Sequence, residues 1–571
     1  MSQGVRTAQR RAVGTDKGKW HVDVNVLCDW HRAGGYVRTR IESLTGNVNV
    51  VKINEMWVQG NVIIRKNDFQ KNAPAQHCNV TFHFSYEKYI AQIEQRGLQN
   101  VWRELCDFLT SNGIQKFSEQ IVDFYEIGRL YEVGLAYENK FSKKQCGKYY
   151  TPRDVSLLMA RLLCKNKNLS AIADVGCGCG NLIIAVLEEF EKTGALESVL
   201  QNGIYLFDND KTALEICSAR IRARFGIEEK RIHHIYGDFL ALEEFPKNIS
   251  VISNPPYVSN CRVDSGAADV ARAADLYIAF FSKICDFAQN ITIVTPQSFI
   301  VGQKFSMFRK KLYENFYGDI FSFDNVPCPL FNGKKEGVFN TNNANGVRAS
   351  ISNLHRKTEN SPQGFRLSHL IRFKSEQRRK VIDENFLEST LGEIRQDLSR
   401  PVKAFKSLEK FAFGILENHF NLEDLLSDSE NEFSICVATS ARYFISASKL
   451  RQKRSGFFEL FAKDKESFDL LYALLNSSYC YMWYRFFDGG ILLSKSLLRK
   501  IPVPQRLQFD KARLADLVAG IIATEENCKS YKKNGGAMQE VVKFPESTRN
   551  ALNAFLFGNI DFSPLHRNYE A

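Results

Sequence analysis

Asn254, Pro255, Pro256 and Tyr257 close an apolar run, Val251-Ile252-Ser253, with an amide, two residues that lack an N–H and an aromatic ring. Proline fixes its own φ and donates nothing to a sheet ladder, so the doublet must stop the strand and stiffen the turn. A stiff turn holds the Asn254 amide, the Pro255 carbonyl and the Tyr257 ring in one mutual geometry. That set suits an aromatic amine, whose lone pair is delocalised into its ring. Two oxygens accepting hydrogen bonds from the NH₂ draw the nitrogen toward a tetrahedral shape and free the lone pair, with no carboxylate base, while the Tyr257 ring stacks on the flat molecule. Over four residues, an ordinary Pro-rich turn reads the same way.

A second constellation bears on what such an amine would react with. Asp174, Gly176, Gly178 and Gly180 form the loop "DVGCGCGN" between an apolar strand and a helix, where glycines allow a tight turn and close approach of a ligand. The next strand ends at Asp208 in "LFDND", placed to accept both hydroxyls of a ribose. The third ends in "YGDFL", offering Asp238 to an exocyclic amine and Phe239 to an adenine face. The spacing is G-x-G-x-G, not the G-x-G-x-x-G of dinucleotide folds, and nothing downstream serves a nicotinamide. S-adenosylmethionine, an adenosine without a pyrophosphate, fits better. A structural glycine turn with surface acids remains the plain alternative.

These strand ends need a scaffold. Between 170 and 300 short apolar strands alternate with helical stretches such as "NLIIAVLEEFEK" and "DKTALEICSARIRARF", the pattern of a parallel, doubly wound sheet. Residues 1–95 carry short β-branched and aromatic runs and read as a β-rich unit, and 96–145 turn helical. Beyond about 350 the alternation is lost. At 571 residues, two or three domains are expected. We divide the chain into a β-rich N-terminal extension (1–95), an α/β domain (96–350) and an α+β domain (351–571).

The net charge of +12 suits a polyanionic partner. Residues 301–410 hold 20 Lys and Arg against 12 Asp and Glu, most of that excess, and "FRLSHLIRFKSEQRRK" at 365–380 is the densest part, placed to contact phosphates or to be a solvated face. The 14 cysteines form no C-x-x-C pair, and the ten histidines show no metal-ligand spacing, so no metal is expected. No run reaches the ~20 apolar residues of a membrane span, and residues 1–20 lack the apolar core of a signal peptide. A cytoplasmic protein is expected, with no membrane partner.

The order of the motifs resembles the gamma subgroup of S-adenosylmethionine-dependent DNA adenine-N6 methyltransferases of restriction-modification systems. It runs from "GKYYTPRDVSLLMARLL" at 147–163 to the glycine loop to N-P-P-Y, then to "ADLYIAFF" and "ITIVTPQSFI". The likeness spans about 118–355, with a weaker match in "YALLNSSYCYMWYRFFDGGILLSKSLLRKIPVP" at 472–504. It implies a class I methyltransferase fold, Rossmann-like, with a C-terminal target-recognition domain. It also implies a bacterial or phage-encoded enzyme acting on double-stranded DNA, with a separate cognate restriction endonuclease as a further partner where one accompanies it. By the resemblance Tyr149, Thr151 and Pro152 contact the methionine end of the cofactor, and Asn254 to Tyr257 form the catalytic turn. The target base must leave the duplex to reach that turn. A second aromatic then faces Tyr257 across it, with Phe331 and Phe339 as candidates. Trp483, Tyr484, Phe486 and Phe487 read as domain core. Rival readings are methylation of cytosine N4, RNA adenine or a release-factor glutamine, and a non-catalytic DNA specificity subunit.

Overall fold

The computed structural model describes residues 62–66, 78–82, 151–165, 171–246, 248–258, 275–331, 335–336, 339–340, 347–395, 403–487, 492–534 and 537–567. Of the expected N-terminal β-rich unit, an antiparallel hairpin of Val62–Lys66 on Cys78–Phe82 is described. The rest of that unit and Tyr149 lie outside the described residues.

A nine-stranded mixed sheet organises the chain from 171 to 395. Its strands are β1 (Ala171–Val175), β2 (Ile204–Asp208), β3 (Ile232–Tyr236), β4 (Ile249–Ser253), β5 (Ala288–Pro296), β6 (Phe316–Phe323), β7 (Ala349–Arg356), β8 (Phe365–Ile371) and β9 (Leu391–Arg395). In space they run β3-β2-β1-β4-β5-β7-β6-β8-β9. The first five are parallel, and β7 enters antiparallel between β5 and β6. The parallel part of this order is the doubly wound sheet anticipated from the strand–helix alternation, and the whole order, with the reversed strand slotted beside β5, fits the class I methyltransferase fold that the resemblance implies.

The central strands read as unbroken apolar runs because both faces are covered. Along β1 the side chains alternate: Ile172 joins the core under helices α1 (Arg153–Cys164) and α2 (Asn181–Thr193). Ala171, Ala173 and Val175 join the opposite core, under α3 (Leu276–Phe287) and α4 (Ser306–Asn315). Glycines at left-handed φ close the turn on either side of α2, Gly180 at +89° before it and Gly194 at +71° after it.

The sheet does not stop at residue 350. That boundary falls at the second residue of β7, which pairs with strands on both sides, so a cut there would remove a central strand. The sequence signal fails because an antiparallel return breaks the strand–helix rhythm. A separate apolar core begins near Ala404 and gathers Trp483, Tyr484 and Phe486, all fully buried, with Phe487 packed against it.

Half of the basic residues in the run at 365–380 are consumed inside the fold. Arg366 makes a two-pronged pair with Asp319, at 2.7 and 2.8 Å. Arg372 pairs with buried Asp324 at 2.7 Å, and Arg378 with Asp154 at 2.6 Å. Lys374, Arg379 and Lys380 stay exposed. The arginines expected to contact phosphates are therefore mostly structural ties, a distinction that charge counting does not see.

Candidate active site

In this sheet the strand order reverses between β1, which leads to β2 and β3, and β4, which leads to β5; open α/β sheets bind ligands at the carboxyl ends of such strands. Two of the expected motifs meet there. Val175 and Ser253 end β1 and β4 in register, and the Ser253 hydroxyl donates to the Val175 carbonyl at 2.6 Å. A Cβ on Gly176 would lie 3.9 Å from the Asn254 carbonyl oxygen, so the glycine loop and the Asn-Pro-Pro-Tyr turn are neighbours at this edge.

The loop is built from left-handed glycines. Gly176, Gly178 and Gly180 have φ of +74°, +49° and +89°. A Cβ on Gly180 would lie 2.4 Å from the Cys217 sulfur, whereas one on Gly178 meets no atom within 4 Å and points into open space. One glycine is thus required by packing and the other leaves room for a ligand. Arg220, buried on the helix Lys211–Phe225, locks the loop from behind with bonds to the Cys179 carbonyl and, at 3.1 Å, to Asn181 Oδ1. No local sequence signal marks Arg220, since it only reaches the loop once its helix has packed.

Asp174 sits fully buried at the end of β1, on the side of α2. Its Oδ2 accepts the Ile183 amide at 3.2 Å, one of the N–H groups a helix start leaves unsatisfied. Its Oδ1 has no hydrogen-bond partner among the described residues. Burial pushes its carboxyl up to about 8, the Ile183 amide lowers it, and the nearby Asp208 charge raises it further. Asp208 at the tip of β2 accepts the Gly178 amide at 2.8 Å on one oxygen and the Asp210 amide at 2.9 Å on the other, so it shapes the loop.

Asp238 and Phe239 part company. Asp238 is exposed and caps the turn that follows it, accepting the Leu240 amide at 3.0 Å. That cap turns the Phe239 ring inward, where it packs against Phe207, Phe245 and Phe280 with centroids 5.1 to 5.7 Å apart. The ring expected to cover an adenine face is placed in the core in this structure.

Thr151 is buried just before α1, and half-buried Pro152 is the residue at its N-terminal cap. Its hydroxyl accepts a hydrogen bond from Asn254 Nδ2 at 2.9 Å, and its carbonyl accepts one from Asn181 Nδ2 at 3.4 Å. Thr151 therefore touches both the Asn-Pro-Pro-Tyr turn and the end of the glycine loop. By holding Nδ2 it turns the Asn254 oxygen to the other side of the amide. Nothing in the sequence predicts this contact between residues 103 positions apart.

Pro255 is buried. The Tyr257 hydroxyl donates to the Val294 carbonyl of β5 at 3.1 Å, which fixes its ring by the far end. Phe331 meets that ring edge-on, at a centroid distance of 6.2 Å and 83° between planes, and is itself buried in the core beneath α1 and α2. Two perpendicular rings do not sandwich a flat base, so Phe331 as placed here packs Tyr257 and does not oppose it. The Phe339 side chain lies outside the described residues. Among those residues no cluster of metal-ligating side chains occurs, and no helix is long and apolar enough to cross a membrane.

The chain is similar to known proteins over part of its length. Residues 123–283 match the family model described as N-6 DNA Methylase. The methylase subunit of the type I restriction enzyme MpnII of Mycoplasma pneumoniae is 25% identical over 166 residues, covering 27% of this chain and 29% of that one. The type II methyltransferase M.BanIII of Aneurinibacillus aneurinilyticus is 25% identical over 228 residues, 34% of this chain and 38% of the relative. The chain spans between about a quarter and two-fifths of the length of the curated relatives it matches. Among solved structures, a putative class I S-adenosylmethionine-dependent methyltransferase of Listeria monocytogenes aligns at 16% identity and a TM-score of 0.35, over 52% of this chain and 86% of that one. The DNA-bound restriction-modification enzyme LlaBIII aligns at 13% identity and a TM-score of 0.41, over 83% of this chain and 47% of that one. The gamma-type N6-adenine resemblance drawn from the motifs is borne out by the family match and by the curated relatives.

Proposed function

We propose that this chain is a site-specific DNA methyltransferase that moves a methyl group from S-adenosylmethionine to adenine N6 in duplex DNA, within a restriction-modification system or alone. The observation that carries the reading is the Asn254 amide, fixed by Thr151 at the carboxyl end of β4.

The residues fit an adenosine-bearing cofactor: Gly178 leaves open space beside the loop, Asp208 stands at the tip of β2, and Asp238 is exposed at the end of β3. When bound, S-adenosylmethionine supplies an electrophilic methyl group. The chain's own part is to present a nucleophile. Asn254 Oδ1 and the Pro255 carbonyl accept the two N–H bonds of the target amine, which localises its lone pair along one direction. Tyr257, held by the Val294 carbonyl, stacks on the base and keeps that direction aimed at the methyl group. The new N–C bond forms as the S–C bond breaks, and the surplus proton leaves the nitrogen for water. Flipping the base out of the duplex costs a few kcal/mol, which contacts outside the pocket must offset.

The test separates binding from transfer. Asn254→Ala should abolish transfer of a labelled methyl group to duplex DNA while calorimetry still reports S-adenosylmethionine binding near the wild-type affinity. Transfer that survives the substitution would remove Asn254 from the mechanism.

A further inference from the structure

The arginines of the 365–380 run that close internal ion pairs leave a question: which surface meets the DNA backbone? The answer lies in two segments that the sequence keeps about 80 residues apart. One is the strip from Arg442 to Ser455. The other is a two-stranded ribbon, Lys529–Asn534 paired antiparallel with Ala537–Val542.

Inward-facing carboxylates weld the two into one surface. Glu525, fully buried, accepts the amides of Lys449 and Leu450 at 2.7 and 2.9 Å and the Tyr472 hydroxyl at 2.7 Å. Glu540 on the ribbon accepts the Lys453 amide at 2.8 Å, while its own amide donates to the Lys453 carbonyl at 3.0 Å. The Ser446 hydroxyl donates to the Val542 carbonyl at 2.7 Å. These acids are occupied with backbone N–H groups. The basic side chains they might have neutralised, Arg442, Lys449, Lys453 and Lys543, are all exposed, as is Arg451, which pairs with Glu459 at 3.9 Å. The ribbon's sequence adds lysines at 532 and 533.

Apolar tips stand among these charges. Tyr531 is 61% exposed, Met538 59% and Tyr443 43%, three of the seven large apolar residues exposed in the described part of the chain. A ribbon of two six-residue strands is about 20 Å long, and a two-stranded ribbon is narrow enough for the major groove. The surface is also tied to the catalytic edge. The Arg442 carbonyl accepts Arg372 Nη2 at 2.6 Å and the Tyr481 hydroxyl at 2.9 Å, and Arg372 is held by Asp324, which follows β6 at the same sheet edge as the Asn254 turn.

We infer that the paired strands Lys529–Asn534 and Ala537–Val542 and the strip 442–455 together form a duplex-binding surface, the ribbon lying along a groove and the flanking cations meeting phosphates. This rests on the DNA-methyltransferase reading and names the face that reading needs. The cationic rim commits the surface to a polyanion, whereas an apolar docking face for a protein would be depleted of lysine.

The test uses the full chain with Arg451→Glu, Lys453→Glu and Lys543→Glu combined, and with Lys453→Gln and Lys543→Gln singly. Anisotropy of a labelled duplex is measured across a salt series, with S-adenosylmethionine binding as the check on folding. The slope of log affinity against log salt should shrink by about 0.9 for each contacting cation removed, with cofactor binding unchanged. If the triple variant loses cofactor binding, the two glutamine variants decide, each expected to reduce the slope by about 0.9 where its lysine meets a phosphate. A wild-type chain that binds and methylates duplex DNA, together with variants whose affinity and slope are unaltered, overturns this assignment alone and leaves the face to a protein partner. A wild-type chain that binds no duplex overturns both this surface and the function it rests on.

Discussion

Thr151→Val takes away the oxygen that accepts the Asn254 Nδ2 hydrogen bond at 2.9 Å while keeping the shape of a buried side chain. A hydrogen bond of this kind contributes ~0.5–1.5 kcal/mol, and a buried donor left without its acceptor costs ~1–3 kcal/mol. Once released, the amide gains its flipped orientation, in which Nδ2 would face the target NH₂ and two sets of donors would meet. Removing ~1–3 kcal/mol of preference for the productive orientation lowers kcat by roughly 5- to 160-fold, since ~1.36 kcal/mol is tenfold in rate. Thr151→Ser keeps the hydroxyl and should return most of the rate. The Thr151 carbonyl bond to Asn181 is a backbone contact that both variants retain. Single-turnover methyl transfer gives the rate, and calorimetry gives the cofactor affinity. A valine variant that turns over within twofold of wild type refutes the positioning role. A loss confined to cofactor affinity instead supports Thr151 as a contact to the methionine end.

Two other perturbations follow from the same edge of the sheet. Gly180→Ala places a Cβ against the Cys217 sulfur at a φ of +89°, so it should lower the thermal midpoint, whereas Gly178→Ala meets no protein atom and should weaken S-adenosylmethionine binding with a smaller effect on that midpoint; calorimetry and melting curves of both variants check the contrast. At Asp324, burial works to raise the carboxyl, but Arg348, Arg372 and Arg485 outweigh it and hold it at about 2, so its stabilising charge is present above the ordinary carboxylate range and is lost as pH falls toward 2. Asp324→Asn should therefore cost ~3–5 kcal/mol at neutral pH, with the gap to wild type closing only in acid, as read by urea denaturation across a pH series.

Local backbone behaviour was legible in the sequence. The Asn-Pro-Pro-Tyr turn, the three glycines and the strand-end acids could each be read because the residue types dictate backbone behaviour where they stand. The sheet from β1 to β5 was legible for a related reason: parallel strands require helical crossovers, and that rhythm shows in the pattern of apolar residues. Contacts between distant segments were not. The Thr151 hydroxyl on the Asn254 amide, Arg220 behind the glycine loop and Glu540 on the Lys453 amide depend on packing, and no spacing encodes them. Phe239 shows the limit from the other side. Its place after Asp238 suggested a ligand face, but the Asp238 cap turns the ring into the core. The arginines at 366, 372 and 378 make the same point for charge, since composition counts cations but not the carboxylates folded against them.

The central claim is that the Asn254 turn methylates an adenine amine in duplex DNA. Its most direct test is mass spectrometry of nucleosides from plasmid DNA incubated with the purified full chain and S-adenosylmethionine, followed by single-molecule sequencing of the same DNA. N6-methyldeoxyadenosine, confined to one sequence context and absent with Asn254→Ala, is the predicted result. N4-methyldeoxycytidine in its place, or methyl transfer to RNA or protein with the DNA unmodified, would contradict the account.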